Sequence, residues 1–525
     1  MNRGLSAAGT ARLGFVVDGR PVEVADDGAS LLEVLRDRLG LRSPKDGCSP
    51  QGQCGCCTVL VDGAPRVACV TPARRVAGRI VTTLDGLDQA DRADWADAFC
   101  ATGASQCGFC TPGIIVRLAG LRSRISGRTD TDRQSVERAL QAHLCRCTGW
   151  RTILDAWDAY GTPATAEGRD LDAASARATI EGGAPQRVGP EVALGAGGFA
   201  DDLAPDDALV AVRSSGGEWT VAETLTEARL AAGKVQGRRT TVDATPPIQL
   251  PPGHWVAALR TSWVEPAYLE TDASWCRPGG EPATPLANGG AFGGKTGSEL
   301  GAVARRLADR HGRAVRVVLS REDVVRLGPK RPPVAGGVGA DGRGAIRVAR
   351  TPGIAEAISS YSPDLTVEEV DVAGPPTSAA VRAAGWAEAA VLTAGARHSV
   401  GPVRGPSGAV AEAEVSPDRI RVRVACGDPL DEVVLRSYCT GAAHMALGWV
   451  TSEGLAVDDE GTVHDLTIRS FGVLRAMDTP AIEVEIGPTP GQPVNGSDAV
   501  FAAVAAAVWV DQGCPQDWPT RGARS

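Results

Sequence analysis

The sequence of 525 residues predicts an α+β fold built from three successive regions. The first part alternates short strands with one helix, the next is helical, and the long remainder mixes short strands with helices. Eight of the fourteen cysteines form two sets of four within the first 150 residues. We therefore expect a small sheet unit, a small helical unit and a larger mixed α/β region.

The sheet unit contains two hairpin signals on either side of one helix. Residues 12–25 alternate around Asp18-Gly19, and a second Asp-Gly turn follows at Asp62-Gly63. Asp-Gly between alternating strands is typical of a type I′ hairpin turn. Ser30 is placed to cap the helix that begins after the first hairpin. Hairpin, helix, cysteine loop and hairpin is the order of a ferredoxin-like β-grasp unit.

The two cysteine sets have distinct spacings. The first, C-x5-C-x2-C-x11-C, consists of Cys48, Cys54, Cys57 and Cys69, and the second, C-x2-C…C-x-C, consists of Cys107, Cys110, Cys145 and Cys147. Four thiolates, three of them on one Gly-rich loop, suit a plant-type 2Fe–2S cluster, whose usual first gap is one residue shorter. Two sets predict two clusters, and two clusters predict electron transfer.

Structural zinc and plain buried thiols are the alternatives for these cysteines. Zinc sites usually show two well-separated C-x2-C pairs, which a single loop with three cysteines fits poorly. Cys56 lies between ligands, but the C-x2-C spacing selects Cys54 and Cys57, so Cys56 is expected to bind no iron. The remaining cysteines stand alone in sequence and are expected to be buried thiols.

The helical unit follows the second hairpin. An apolar-periodic run opens at Pro112, and Gln134–Leu144 and Arg151–Tyr160 are predicted as further helices. The second cysteine set falls at helix ends, where free backbone N–H groups can point at sulfur. Residues 163–190 are rich in Gly, Ala, Pro and charge with little apolar periodicity, so a linker is predicted.

The rest of the chain shows short strands and helices. Strands are predicted over Ala314–Leu319, Ile420–Ala425 and Ile482–Ile486, and helices over Leu300–His311 and Val500–Val508. The longest apolar run contains twelve residues, which is too short to span a bilayer and favours a buried helix.

Composition excludes some classes of function. The net charge of −9 argues against a nucleic-acid surface, which is normally basic. The N-terminal residues contain no apolar core of a secretory signal. Fourteen cysteines in such a chain favour metal ligands and buried thiols in a reducing compartment. The expectation is a cytoplasmic protein without a membrane span.

Two motifs connect the chain to a known family. QCGFCTPG at 106–113 and LCRCTGW at 144–150, preceded by the first cysteine loop, resemble the iron–sulfur subunit of the molybdenum hydroxylases, a family that includes xanthine dehydrogenase and aldehyde oxidoreductase. The resemblance covers residues 10–160. It implies that the N-terminal cluster lies far from molybdenum and the second lies beside the pterin, faced by Gln106 and Cys147.

The second half resembles the molybdenum-binding subunit of that family, in a shortened form. Similar segments occur in the family's order: Phe199–Asp202, Glu265–Glu270, Gly289–Lys295, Val315–Lys330, Arg382–Gly385 and Gly441–Glu453. The resemblance implies molybdopterin-side roles for Gly290, Phe292, Gly293 and Arg382. Only thirteen residues separate Trp275 from Gly289, where the family has several strands. Gln492 stands where the family has its catalytic Glu, and no stretch resembles the family's FAD domain.

The predicted domains are therefore four. They are a plant-type 2Fe–2S ferredoxin-like domain (1–88), a helical 2Fe–2S-binding domain (89–162), a linker (163–190) and a shortened molybdopterin-binding-subunit-like region (191–525).

Three further segments contain candidate binding or catalytic residues. GGAFGGKT at 289–296 matches a phosphate loop, but no strand precedes it, so nucleotide binding is disfavoured. Glu265 and Glu270 are candidate general bases, although hydrogen-bonded carboxylates are favoured because no His or second acid adjoins them in sequence. Glu483 and Glu485 could take the base role if the chain is threaded differently from the alignment at Gln492.

The preferred hypothesis is a two-cluster electron-transfer subunit of a molybdenum hydroxylase complex with a degenerate molybdenum domain. The chain is then expected in a hetero-oligomer with a molybdenum-binding or FAD subunit, or with both, and molybdopterin lies in this chain or in a partner. The alternatives are a complete compact molybdenum hydroxylase that oxidises a purine, an aldehyde or an N-heterocycle, and a redox or scaffold protein without turnover.

Overall fold

The computed structural model describes residues 11–125, 132–162, 168–234, 240, 242–286, 288–488 and 490–521. It confirms the predicted α+β class. One five-stranded sheet lies in the N-terminal unit, and three further sheets of four, five and four strands lie in the second half.

Both hairpin predictions for the N-terminal sheet are confirmed. The strands are β1 (Arg12–Val17), β2 (Arg20–Ala25), β3 (Thr58–Val61), β4 (Ala64–Val67) and β5 (Ile80–Thr82), in the order β2-β1-β5-β3-β4. Asp18 and Gly19 have φ angles of 49° and 76°, as a type I′ turn requires. Ser30 Oγ accepts the Glu33 N–H at 3.2 Å and so caps α1 (Leu31–Glu33), which continues as a π-helical turn to Arg38.

The helical unit contains four helices around an aromatic core. They are α2 (Gln89–Thr102), α3 (Thr111–Ile125), α4 (Arg133–Ala139) and α5 (Arg151–Ala159). Trp95 packs on Phe99 and Trp157 with ring centroids 6.2 and 6.1 Å apart. The predicted helices are confirmed, except that α4 ends at Ala139 and passes into a 3-10 turn instead of running to Leu144.

The segment predicted as a linker contains a well-formed helix, α6 (Leu171–Gly182). Asp170 caps it by accepting the N–H groups of Asp172 and Ala173. Its buried face consists of Ala174, Arg177, Ala178 and Glu181, so it lacks the large apolar residues that make a helical period visible in sequence. The segment predicted as a linker thus includes a helix that its sequence pattern did not indicate.

The second half continues with helices and strands in mixed order. The elements are α7 (Pro190–Ala193), α8 (Ala200–Leu203), β6 (Leu209–Arg213), β7 (Trp219–Ala222), α9 (Leu225–Ala231), β8 (Ala257–Thr261), β9 (Ala273–Cys276), α10 (Leu300–His311), β10 (Val315–Val318), α11 (Arg321–Leu327), β11 (Val334–Val338), β12 (Gly344–Ala349), α12 (Ile354–Tyr361), β13 (Leu365–Val370), α13 (Trp386–Arg397), β14 (Val403–Arg404), β15 (Val410–Ser416), β16 (Arg419–Ala425), α14 (Glu432–Thr451), β17 (Ala481–Ile486), α15 (Ser497–Asp511) and β18 (Asp517–Trp518). The predicted strands and helices of this half are all present within a few residues of their expected ends.

Two long helices form the centre of the second half. The apolar run predicted as a buried helix is α15, which is buried along almost its whole length and packs against α14, α13 and β15. The three sheets have the orders β7-β6-β10-β9, β13-β12-β11-β8-β18 and β14-β15-β16-β17. None of the helices in the described residues has both the length and the apolar character that a bilayer crossing needs.

One apolar cluster spans the boundary between the two halves. Buried residues of the helical unit, such as Leu144 and Trp150, belong to the same cluster as Leu455, Ile468 and Phe471 of the second half. The first cysteine loop is covered as well, because Gln51 Nε2 donates to Leu466 O at 2.7 Å and Gln51 Oε1 accepts the Ile468 N–H at 3.1 Å. The cysteine units are thus held in a fixed position against the second half.

Candidate redox site

The first cysteine set is gathered in a buried loop between α1 and β3. The Cys48 thiol contacts the thiols of Cys54 and Cys69, and the Cys57 thiol contacts that of Cys69. All four side chains are at most 5% exposed. Backbone donors point at the sulfurs: the Gln51 N–H lies 3.2 Å from Cys48 Sγ, and the Cys69 N–H lies 3.4 Å from Cys57 Sγ.

The second cysteine set is built from two separate stretches. Cys107 and Cys110 occupy the turn before α3, and Cys145 and Cys147 follow α4, so the fold brings the two C-x-x-C and C-x-C pieces together. Cys107 Sγ lies 3.8 Å from Cys147 Sγ, and Cys110 contacts Cys145. The backbone N–H of Phe109 points at Cys107.

The thiol contacts suit 2Fe–2S clusters. In the second set the contacts form two pairs, and in the first set Cys48–Cys54 and Cys57–Cys69 form two pairs joined by the Cys48–Cys69 contact. A 2Fe–2S cluster is held by four thiolates, two on each iron, and its potential is set partly by hydrogen bonds to sulfur. In the described chain, no group of three or more His, Cys, Asp and Glu side chains is placed to hold a single metal ion.

The two sets lie close to one another. A Cβ at Gly113, near the start of α3, would stand 2.3 Å from Gly55 O and 2.8 Å from Cys56 O. Only a glycine allows this approach of the first cysteine loop to the helix that follows Cys110. Cys56 is completely buried at this contact, with its thiol beside Cys54.

A cavity of about 340 Å³ adjoins the second set, and Cys107 and Cys147 form part of its wall. The five residues that the resemblance assigns to the molybdopterin side all line this cavity: Gln106, Gly290, Phe292, Gly293 and Arg382. The second half of the chain thus supplies a pocket directly beside the cysteine set that was expected to face the pterin.

The glycine-rich segment is shaped by close contacts between backbones. A Cβ at Gly293 would stand 1.8 Å from Ala380 O, so no other residue fits there. This approach lets the Arg382 N–H donate to Phe292 O at 3.0 Å. Ala291 and Phe292 have φ angles of 49° and 56°, and backbone strain of this kind in non-glycine residues clusters at ligand sites. The segment does not follow a strand, which agrees with the exclusion of a phosphate loop.

Gln106 connects the second cysteine set to α14. Its Nε2 donates to Cys147 O at 2.8 Å and to Ser437 Oγ at 3.0 Å. Ser437 Oγ in turn donates to Gly103 O at 2.6 Å. Gln106 therefore holds the Cys147 backbone while its side chain forms part of the cavity wall.

Three carboxylates line the cavity, and each is paired with a cation. The pairs are Glu181 with Arg177 (2.6 Å), Glu270 with Lys295 (2.6 Å) and Asp498 with Arg382 (3.1 Å). Burial raises the pKa of Glu270 to about 7, against the opposing effect of Lys295. The cavity is therefore close to electroneutral and contains one carboxyl group that titrates near neutral pH.

Several cavity residues carry no signal in the sequence. Gln186, Tyr438 and Asn495 line the pocket and come from α14 or from loops outside every motif. Tyr438 donates its hydroxyl to Gln186 Oε1, while Gln186 Nε2 is buried without a hydrogen-bond partner among the described residues. Asp498 lies six residues after Gln492 and could have been noticed only as the nearest acid in that stretch.

Four residues singled out from the sequence lie outside the cavity. Gln492 is exposed, and its backbone packs on Gly427. Glu483 and Glu485 project from the exposed face of β17, where they pair with Arg421 and Arg423, so neither is placed to act as a base in the cavity. Glu265 forms a buried ion pair with Lys330 at 2.8 Å. Glu270, for which a plain hydrogen-bonded role was favoured, is the candidate base that reaches the pocket.

The pocket also suits a pterin-type group. Gln186 Nε2 is an unsatisfied donor at the wall, Glu270 Oε1 is an unsatisfied acceptor, and Phe292 and Tyr438 supply aromatic surface. Buried polar atoms without partners are rare in native proteins and call for a ligand or water. A flat, hydrogen-bonding ring with an acceptor and a donor on its edge matches this wall.

Comparison with known proteins identifies the cysteine units. A model of the 2Fe–2S iron–sulfur cluster binding domain matches residues 15–77, and a model of the 2Fe–2S binding domain matches residues 83–158.

Curated relatives match the same part of the chain. Aldehyde oxidoreductase of Megalodesulfovibrio gigas is 43% identical over 135 residues, which are 25% of this chain and 14% of that protein. The xanthine dehydrogenase iron–sulfur-binding subunit of Escherichia coli is 36% identical over 148 residues, which are 28% of this chain and 91% of that protein. The chain therefore covers most of the smaller protein but only a small part of the larger enzyme.

A solved structure resembles nearly the whole chain. Aldehyde oxidoreductase from Desulfovibrio gigas superposes with a TM-score of 0.67 and 15% identity, covering 95% of this chain and 97% of that one. The second half therefore shares the fold of that protein, at an identity too low to carry residue roles.

Proposed function

We propose a function that proceeds from one premise, which is that this chain belongs to the molybdenum hydroxylase family. The proposed function is the transfer of electrons through two 2Fe–2S clusters within a molybdenum hydroxylase complex. The observation that carries this proposal is the placement of the second cysteine set in the wall of the cavity, with the first set packed directly behind it.

The eight cysteines would hold the two clusters. Cys48, Cys54, Cys57 and Cys69 would bind one, and Cys107, Cys110, Cys145 and Cys147 the other. When bound, 2Fe–2S clusters take up and release single electrons. The backbone N–H groups that point at Cys48, Cys57 and Cys107 stabilise negative charge on the sulfurs. The role of the polypeptide in electron transfer is thus to hold the thiolates in position and to shield them from water.

The cavity sets the direction of transfer. Cys107 and Cys147 adjoin it, so electrons enter the chain from a donor in this pocket. Val70, the neighbour of Cys69 in the first set, is 45% exposed. An acceptor, in a flavin subunit or from outside, would therefore dock near Val70.

The donor group is proposed to be molybdopterin bound in this cavity. Gln106, Gly290, Phe292, Gly293 and Arg382 would hold it, in keeping with the resemblance. The domain is proposed to be degenerate in catalysis, because Gln492 is exposed and supplies no base. The complex is then a hetero-oligomer in which a partner chain supplies the acceptor or a further catalytic site.

Metal analysis tests the proposal. The chain purified alone and the chain with its co-purifying proteins are compared for iron, sulfide and molybdenum, and electron paramagnetic resonance follows reduction. Two cluster signals in the single chain support the electron-transfer role. Zinc in place of iron, or one signal only, overturns it.

A compact molybdenum hydroxylase is the second candidate. The observation that favours it is Glu270, a buried carboxylate in the pocket with a pKa of about 7 and an unpaired oxygen, which is suited to accept a proton near neutral pH. Molybdenum in the single chain together with turnover of a purine, aldehyde or N-heterocycle, lost in Glu270→Gln, would select this candidate over the first.

A further inference from the structure

Glu270 stands between two cavities. One is the cavity beside Cys107 and Cys147, and the other is a small pocket of about 40 Å³ that reaches Cys69. Glu270 is the one residue that lines both, as far as the described residues extend. Its side chain therefore lies at the boundary between the two spaces.

The two carboxylate oxygens of Glu270 have different surroundings. Oε2 accepts from Lys295 Nζ at 2.6 Å. Oε1 is buried and has no hydrogen-bond partner among the described residues. The residue as a whole is only 9% exposed. One oxygen is therefore fixed, and the other is free to take a proton without breaking an existing bond.

The second pocket offers a polar route outwards. Its wall includes the carboxylates of Glu33, Asp37 and Asp201 and the hydroxyl of Thr271. Arg229 and Leu225, also in this wall, are partly exposed to solvent. Water that enters here reaches Glu270 without passing through the cavity beside the second cysteine set.

We infer that Glu270 carries protons between the solvent-facing pocket and the cavity, and that it takes up a proton when the second cysteine set gains an electron. This inference rests on the proposed function, because it needs a redox cluster on Cys107, Cys110, Cys145 and Cys147. It adds a proton-carrying role for Glu270 to the electron transfer proposed for this chain.

The step balances in charge and atoms. An external reductant supplies one electron to the cluster side, and solvent supplies one proton through the second pocket. The proton forms an O–H bond on Glu270 Oε1, and no other bond breaks. The added negative charge is thereby compensated locally, which matters because uncompensated charge is costly in a buried site.

The surrounding charges are compatible with this role. Lys295 faces Glu270 from the glycine-rich segment, Asp272 and Tyr268 from its own segment, and Asp202 from α8. Asp46 and Asp201 share the second pocket with it, and the charge of Glu270 also acts on Cys107. Burial raises the pKa of Glu270 to about 7, so both protonation states are populated near neutral pH.

Redox-difference infrared spectroscopy of the full chain tests the inference. Dithionite reduces the protein at pH values from 6 to 8.5, and the C=O band of a protonated carboxyl group is followed in H2O and D2O. We expect a carboxyl band to appear on reduction above pH 7 and to shift in D2O. If electron paramagnetic resonance detects the second cluster in the unaltered chain but no carboxyl band appears, the inference is overturned without use of any variant.

Two variants assign the band. Glu270→Gln keeps the size and a hydrogen-bond acceptor for Lys295, and we expect it to lose the band and the pH dependence of the second cluster's midpoint potential. Glu265→Gln is the matched control, since Glu265 also forms a buried pair with a lysine, Lys330, but lines neither cavity. It should keep both signals.

The outcomes separate this inference from the proposed function. If no second cluster forms in the unaltered chain, the proposed function fails. If the cluster forms and the band persists in Glu270→Gln, another group takes the proton and only this inference fails. If Glu270→Gln does not fold, Glu270→Asp replaces it, and an unshifted band in that variant overturns the inference.

Discussion

Arg146 and Glu453 form a fully buried, two-pronged ion pair. Nη1 and Nη2 of Arg146 donate to Oε1 and Oε2 of Glu453 at 2.5 and 2.6 Å, and both side chains are at most 3% exposed. Arg146 Nε also donates to Pro266 O at 3.0 Å. Because Arg146 lies between Cys145 and Cys147, this pair fastens the second cysteine set to the segment that follows α14.

Removal of one partner of this pair should strongly destabilise the protein. Glu453→Gln leaves the Arg146 charge buried without its partner, and breaking such a pair typically costs about 3–5 kcal/mol. The free energy of unfolding, from denaturant titration, measures the loss. Glu485→Gln, which removes the partner of Arg423 on the exposed face of β17, is the control and should leave the transition midpoint unchanged. Equal effects of the two variants would contradict the prediction.

The chain should bind roughly four iron and four sulfide ions as two 2Fe–2S clusters. Cys147→Ser should remove or alter the second signal in electron paramagnetic resonance and leave the first, since Cys147 contacts Cys107 and belongs to a separate ligand set. Iron analysis and spectra of the reduced variant measure this. Loss of both signals to the same extent would show that the sets do not form independently.

Cys56 should be dispensable for iron binding. Its thiol lies beside Cys54, but the contacts within the first set join Cys48, Cys54, Cys57 and Cys69. Cys56→Ala should therefore retain the full iron content, whereas Cys57→Ala should lose the first cluster. If Cys57→Ala keeps its iron and Cys56→Ala loses it, then Cys56 and not Cys57 is the cluster ligand.

A carboxylate at position 492 should have no effect on the site. Gln492 is exposed and outside the cavity lining, so Gln492→Glu should leave the cluster spectra and any turnover of the complex unchanged. Asp498→Asn is the variant for comparison, because it changes a residue of the cavity wall that pairs with Arg382. A gain of turnover in Gln492→Glu would show that the residue approaches the reacting group after all.

Acid should destabilise the protein through His444. This residue is buried in α14 with its Nε2–H donating to Leu474 O at 3.2 Å, and burial lowers its pKa from the ordinary 6.5 to about 3. Between these values the unfolded chain binds a proton that the folded chain does not. Stability therefore falls as pH drops from 6.5, by at most about 1.4 kcal/mol per pH unit.

His444→Gln removes this titration and should reduce the slope of unfolding free energy against pH between 6.5 and 5, while His143, whose pKa burial also lowers to about 3, keeps its own contribution. Gln can still donate to Leu474 O, so stability at pH 8 is the internal reference. An unchanged slope would mean that His444 is protonated in the folded state as readily as in the unfolded one.

The cysteine units were predictable because their information is local. Asp-Gly turns, the Ser30 cap and the cysteine spacings each depend on a few neighbouring residues, and the structure contains them where expected. The helix α6 was missed because its buried face is made of alanines and an Arg177–Glu181 pair. Such a helix shows no apolar periodicity in the sequence, so hydrophobic patterning does not predict it.

The cavity was predictable only through resemblance. The glycine-rich segment and Arg382 come together because Gly293 touches Ala380, a contact between residues far apart in sequence. Gln186, Tyr438 and Asp498 join the same wall from three other segments. Glu270 likewise pairs with Lys295, 25 positions away, whereas Glu265 pairs with Lys330 outside the cavity. Such arrangements follow from tertiary packing and have no local signature.

The second half of the chain packs over the cysteine loops, and this packing bears on the order in which cluster insertion and folding occur. Gln51 is hydrogen-bonded to Leu466 and Ile468, so the thiols of the first cysteine loop lie beneath segments that are translated hundreds of residues later. An assembly factor that delivers iron and sulfide needs open access to those thiols. Delivery is therefore expected to come before the two halves close on each other.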